Sequence, residues 1–66
     1  MIVQLNGEKK NIRVNSTISD LLAFLEVKIL QVAVELNGSI ISKSDYETTI
    51  LKSDDKIEIV NFIGGG

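Results

Sequence analysis

No residue of this chain can staple it. Cys and His are both missing from its 66 residues, which excludes disulfides and the usual zinc sites. A chain of this length makes one domain, near the lower limit for a core that stands alone. Burial and chain entropy nearly cancel at that size, so a net stability of about 3–5 kcal/mol is expected. The core must be aliphatic, and Ile, Val and Leu supply it, with no Pro or Trp. A catalytic cleft needs walls, and a chain this short uses nearly all its apolar residues on one core. Without His or Cys, nucleophile and base roles would fall to Ser, Thr, Lys, Tyr, Asp or Glu. A binding or carrier role is therefore favoured over catalysis.

Charge narrows the partners. The formal charge is −2, with both signs interspersed along the chain. That balance gives no reason to expect nucleic acid or an anionic membrane surface as a partner. The N-terminus MIVQLNGEKK has no charged region followed by a long apolar stretch, so no secretory signal is expected. No apolar run approaches the roughly 20 residues of a membrane span. The absence of Cys fits a reducing compartment, and the expected location is cytoplasmic.

The hydrophobic pattern predicts the elements. Residues 1–5 alternate as a strand, with Met1, Val3 and Leu5 on one face and Ile2 and Gln4 on the other. Asn6-Gly7 tolerates positive φ and favours a hairpin, with Glu8 and Lys9 available to lengthen the loop. Residues 10–14 read as the return strand, with Ile12 and Val14 on the inner face. Thr17 is a good helix N-cap, and Asp20 three residues on forms a variant capping box. Ile18, Leu21, Leu22 and Leu25 then fall on one helical stripe, predicting a helix over 18–26 with no Gly to mark its end. Residues 32–36 read as a strand with Val32, Val34 and Leu36 inward. Asn37-Gly38 is a second turn signal, followed by the short apolar pair Ile40-Ile41. Ser44 and Asp45 suit the cap of one helical turn, with Tyr46 as a partly buried anchor. Ile50 and Leu51 form an edge strand or extended segment, residues 52–55 a turn, and residues 56–62 the last strand. That strand is expected beside the first and parallel to it, in a mixed sheet crossed by one helix.

The last strand and the residues after it carry the functional signal. Ile57 and Ile59 share the core face, so Glu58, Val60 and Phe62 share the face that meets water. Two apolar residues together on a wet face suggest a contact patch. Three glycines follow, Gly64-Gly65-Gly66. Glycine has no Cβ, so its backbone can enter a narrow channel. Three extended residues reach about 10 Å, enough to carry the Gly66 carboxylate into another protein's active site. The chemistry that uses such an end is carboxylate activation: adenylation supplies a leaving group, and a sulfur nucleophile then attacks the carbonyl. The chain has no Gly-rich loop followed by Lys, so no ATP site of its own is expected.

These residues resemble a known family. The helix TISDLLAFLE, the segment VAVELNGSIISKSDYE and the ending KIEIVNFIGGG are similar to the ThiS family of sulfur carriers in thiamine thiazole synthesis. The resemblance covers the whole chain. Its most specific part is the ordered combination V-E-x-N, I-I and D-x-I-E-I-V-x-F-x-G-G-G, with Asp55 as the first residue of the ending. It implies an α+β, ubiquitin-like β-grasp fold: a mixed four- to five-stranded sheet, one main helix packed across it, and a flexible Gly tail. The division implied is a domain over 1–63 and a tail over 64–66. The chain is then a carrier and not an enzyme. Its Gly66 is adenylated by a ubiquitin-activating-type (ThiF-like) adenylyltransferase. Sulfur relayed from a cysteine desulfurase converts the adenylate to a thiocarboxylate, which a (ThiG-like) thiazole synthase consumes. ATP and Mg belong to the activating partner, and no cofactor or metal is expected on this chain. Gly64 and Gly65 form the approach, with Gly64 adding reach beyond the family's Gly-Gly. Val60, Phe62 and Ile63 would contact both partner enzymes. The residues leave three other readings open. One is the small subunit of molybdopterin synthase, which shares fold and Gly-Gly but usually runs longer. The others are a protein modifier joined through Gly66 to a Lys, and a binding domain with an idle tail.

Overall fold

Two Asn-Gly pairs set the geometry of the sheet. In a computed structural model, which describes residues 1–62, β1 (Ile2–Leu5) and β2 (Glu8–Asn11) form an antiparallel hairpin. Asn6 and Gly7 make its two-residue loop, at φ 49° and 83°. Paired positive φ values give a turn whose twist matches that of the strands it joins. Pairing begins at once, Leu5 opposite Glu8, so the loop is not lengthened and β2 starts two residues and ends three residues before the expected 10–14. Ile12 still reaches the core, and its N–H donates to the Met1 carbonyl at 2.8 Å. Val14 does not: it is 63% exposed, against the inward position expected of it. The chain has left the ladder after Asn11. The Ser16 N–H closes a turn onto the Arg13 carbonyl, and Asn15 sits at φ 69°, so strand alternation no longer governs where Val14 points.

The helix α1 (Ile18–Phe24) starts as expected. The Thr17 side chain accepts the Asp20 N–H at 3.1 Å, and an Asp20 carboxylate oxygen accepts the Thr17 N–H at 2.9 Å. It ends two residues before the expected Glu26, which instead takes the left-handed conformation at φ 59°. The Glu26 N–H donates to the Ala23 carbonyl and the Val27 N–H to the Leu22 carbonyl, both at 3.1 Å. This is a Schellman stop made without glycine. Ile18, Leu21 and Leu22 are buried on the face that crosses the sheet.

A 3-10 turn, Ile29–Gln31, leads into β3 (Val32–Leu36). Asn37 and Gly38, at φ 51° and 88°, repeat the two-residue turn into β4 (Ser39–Ile41). A second 3-10 turn follows, Lys43–Asp45, with Ser42 at its N-cap, so Ser44 and Asp45 lie inside the turn they were expected to cap. Ile50 makes an isolated antiparallel bridge to Thr17, and Leu51 is buried. β5 (Lys56–Asn61) then enters the middle of a five-stranded sheet of order β2-β1-β5-β3-β4. It runs parallel to β1, as expected, and antiparallel to β3.

The core lies between α1 and the inner face of the sheet. Val3, Val32, Val34 and Ile57 come from the strands, and Ile12, Tyr46 and Leu51 close its sides. Tyr46 is buried to 1% exposure, deeper than a partly buried anchor. No polar or charged residue is buried among the described residues. The boundary expected at 63/64, with Ile63 and the three glycines, lies outside them.

The Glu26 geometry has a measurable consequence. A non-glycine residue in the left-handed region costs about 1–2 kcal/mol, and glycine's extra unfolded-state freedom returns about 0.5–1 kcal/mol of that. Glu26→Gly should therefore raise stability by about 0.5–1 kcal/mol in urea denaturation, with no change in the slope of the transition.

Candidate functional site

β5 is held at its first residue and at mid-strand by the side chains of the two turn asparagines. β1 pairs with β5 over only two residues, Gln4 beside Lys56 and Leu5 beside Ile57. Beyond Leu5 the chain turns away, but Asn6 continues the ladder. Its Oδ1 accepts the Ile59 N–H at 2.7 Å, and its Nδ2 donates to the Ile59 carbonyl at 3.3 Å. One carboxamide thus makes both bonds of a missing strand residue. At the start of β5 the Asn37 Oδ1 accepts the Lys56 N–H at 2.9 Å, and the Asn37 Nδ2 donates to Asp55 Oδ1 at 3.0 Å. The other Asp55 oxygen accepts the Lys52 N–H at 2.7 Å, closing the 52–55 turn.

This clamped strand aims the end of the described chain. The Phe62 N–H donates to the Gln31 carbonyl at 3.1 Å, just past the last β3–β5 pair, Asn61 opposite Val32. Lys43 locks the same corner. Its Nζ donates to the Val32 carbonyl at 3.0 Å and stands 5.3 Å from the centroid of the Phe62 ring.

Val60 and Phe62 are each 55% exposed. Val60 lies opposite Ala33 on the face turned away from α1, where Ile40 of β4 also stands exposed. Phe62 follows directly after β5, and both of the apolar residues expected to meet water do so. Ile63, Gly64, Gly65 and Gly66 lie outside the described residues. Sequence reasoning did not find Lys43, Asn6 or Asn37 as parts of this arrangement. The Asn-Gly pairs were visible as turns, but the reach of each side chain to β5 depends on which strand lies alongside. Lys43 had no local signal.

The remaining surface offers little chemistry. Among the described residues no three His, Cys, Asp or Glu groups converge to hold a metal ion. A cavity of about 380 Å³ is lined by residues of the β2–α1 connection and of the helix, including Arg13, Val14, Asp20 and Phe24. None of its lining residues belongs to β3 or β5, and its one carboxylate, Asp20, is engaged in the helix cap. No helix is long and apolar enough to cross a membrane among the described residues.

A five-stranded mixed sheet with the last strand at its centre, crossed on one face by a single helix, is a ubiquitin-like β-grasp. Residues 3–66 match the ThiS family model, and the chain belongs to the ThiS family. It is 42% identical over 66 residues to the sulfur carrier protein ThiS of Bacillus subtilis, covering 98% of this chain and all of that one. The crystal structure of a thiamine biosynthesis protein (ThiS) from Geobacter metallireducens superposes with a TM-score of 0.86 at 30% identity, over 100% of both chains. The whole chain is also 42% identical to part of a thiazole synthase of Magnetococcus marinus, and spans 20% of that protein's length.

Two outcomes test the geometry. Asn6→Gly keeps the positive φ but removes the carboxamide, so it should cost about 1–2 kcal/mol in urea denaturation. Phe62→Ala should cost less than about 1 kcal/mol, the scale of an exposed cation–π contact. A loss of about 3–5 kcal/mol would instead mark Phe62 as core.

Proposed function

We propose that this chain is a sulfur carrier of thiamine biosynthesis and that Gly66 is its working residue. The observation that carries the proposal is the full-length match to the Bacillus subtilis sulfur carrier. It is supported by a body whose last strand is fastened at Lys56 and Ile59 beside an open apolar face. The body's task is to present a carboxylate, and the chemistry belongs to the enzymes that receive it.

In the first step a Gly66 carboxylate oxygen attacks the α-phosphorus of ATP in a ubiquitin-activating-type (ThiF-like) adenylyltransferase, and pyrophosphate leaves. Mg and cationic side chains of that enzyme neutralise the phosphate charge. In the second step the terminal sulfur of a protein persulfide, charged by a cysteine desulfurase, attacks the acyl carbon and AMP leaves; a thiol then cleaves the resulting acyl disulfide, releasing the thiocarboxylate and leaving a disulfide behind. A (ThiG-like) thiazole synthase then takes the sulfur. The thiazole synthase of Magnetococcus marinus, with a stretch similar to this whole chain, favours that enzyme as the acceptor. Gly64 and Gly65 are the narrow approach, and Val60, Phe62 and Ile63 contact both partners. Phe62 enters those contacts with one ring face already under Lys43.

Incubation with the activating enzyme, ATP, Mg and a sulfur source should raise the intact mass by the difference between one sulfur and one oxygen atom. Deleting Gly66 should abolish that product while leaving the unfolding midpoint unchanged. Absence of the heavier species alongside an active control carrier would refute the proposal. Conjugates that survive reducing denaturing gels would point to a protein modifier instead.

A further inference from the structure

The open face of the sheet carries an unfavourable feature at its centre. Glu35 of β3 lies directly opposite Glu58 of β5 in the antiparallel register. Both belong to the outward set, since their neighbours Val34 and Ile57 are buried on the inner face. Like charges directly opposite each other across strands destabilise a sheet. Neither carboxylate has a hydrogen bond or ion pair among the described residues. Lys56 stands two residues before Glu58 on the same strand and makes no ion pair with it. The pair is framed by apolar groups. Ala33 and Val60 are the next outward pair along the same two strands, and Ile40 lies opposite Glu35 on β4. Ile40 is 72% exposed.

We propose that this face docks an apolar surface of the activating enzyme that presents an Arg side chain to Glu35 and Glu58; this rests on the carrier reading above. The charge arrangement selects the occupant. Two carboxylates on neighbouring strands match the planar fork of a guanidinium, which donates in parallel. A guanidinium is also weakly hydrated, so the flanking Ile40, Ala33 and Val60 can cover it at little desolvation cost. The carboxylates would give orientation and on-rate, and the apolar frame would exclude water. Phe62, the residue after β5, is also exposed.

The proposal predicts opposite effects on folding and on binding, which a purely structural role for the glutamates would not produce. Glu35→Gln/Glu58→Gln should shift the folding equilibrium toward the native state by about 1.5- to 5-fold, the scale of a cross-strand charge pair. The same variant should bind the adenylyltransferase about 10-fold more weakly at low salt, with a shallower salt dependence. The KM for adenylation should rise with kcat nearly unchanged. Glu26→Gln/Glu47→Gln, which removes two exposed carboxylates outside the sheet, controls for net charge and should change none of these. Unaltered binding and salt slope in the Glu35→Gln/Glu58→Gln variant, with wild-type chain adenylated normally, would overturn the docking proposal alone. A wild-type chain that the enzyme does not adenylate would overturn the carrier reading and this inference with it.

Discussion

The structure depends on β5 being seated in the middle of its sheet. It is the last strand to enter, its pairing with β1 is only two residues long, and Ile57 is wholly buried between its neighbours. A short parallel pair is a weak anchor by backbone bonds alone. Asn6 and Asn37 make up the difference, each adding side-chain bonds to β5 beside those its own backbone N–H makes there. Both residues also hold the positive φ of their turns. The same two asparagines therefore reverse the hairpins and fasten the strand between them.

The two faces of β5 have different duties. Inward, Ile57 and Ile59 pack against the aliphatic layer under the helix. Outward, Glu58, Val60 and Phe62 meet solvent and contribute little to burial. A small domain needs its stability from one face only, which leaves the other free to carry side chains that a core would reject. The opposed Glu35 and Glu58 are tolerated there because water screens them.

How much of this was legible follows from the range of each interaction. Alternation along 57–62 identified both faces of β5, because one face is wet and the period is two. The Thr17–Asp20 cap was legible because it closes within one turn. Val14 misled because its apolar character kept the strand parity after the backbone had left the strand. Glu26 gave no warning of a helix stop, since that stop usually carries a glycine. Tyr46 lies deeper than expected because Leu51 and the helix close over it, a packing that only the tertiary structure defines. Of the candidate site, the exposure of Val60 and Phe62 was visible. The Asn6, Asn37 and Lys43 contacts were not, because each joins residues distant in sequence.

The position of β5 also bears on the order in which the chain can fold. The β1–β5 pairing joins segments about fifty residues apart, a large loop to close in so small a domain. Before β5 arrives, the β1–β2 and β3–β4 hairpins share no edge, and the place of Ile57 under the helix is empty. Isolated two-stranded hairpins are marginal in water. The core and the strand that aims the chain's last residues thus form together or not at all. An enzyme that recognises the outer face of β5 meets only molecules whose folding is complete.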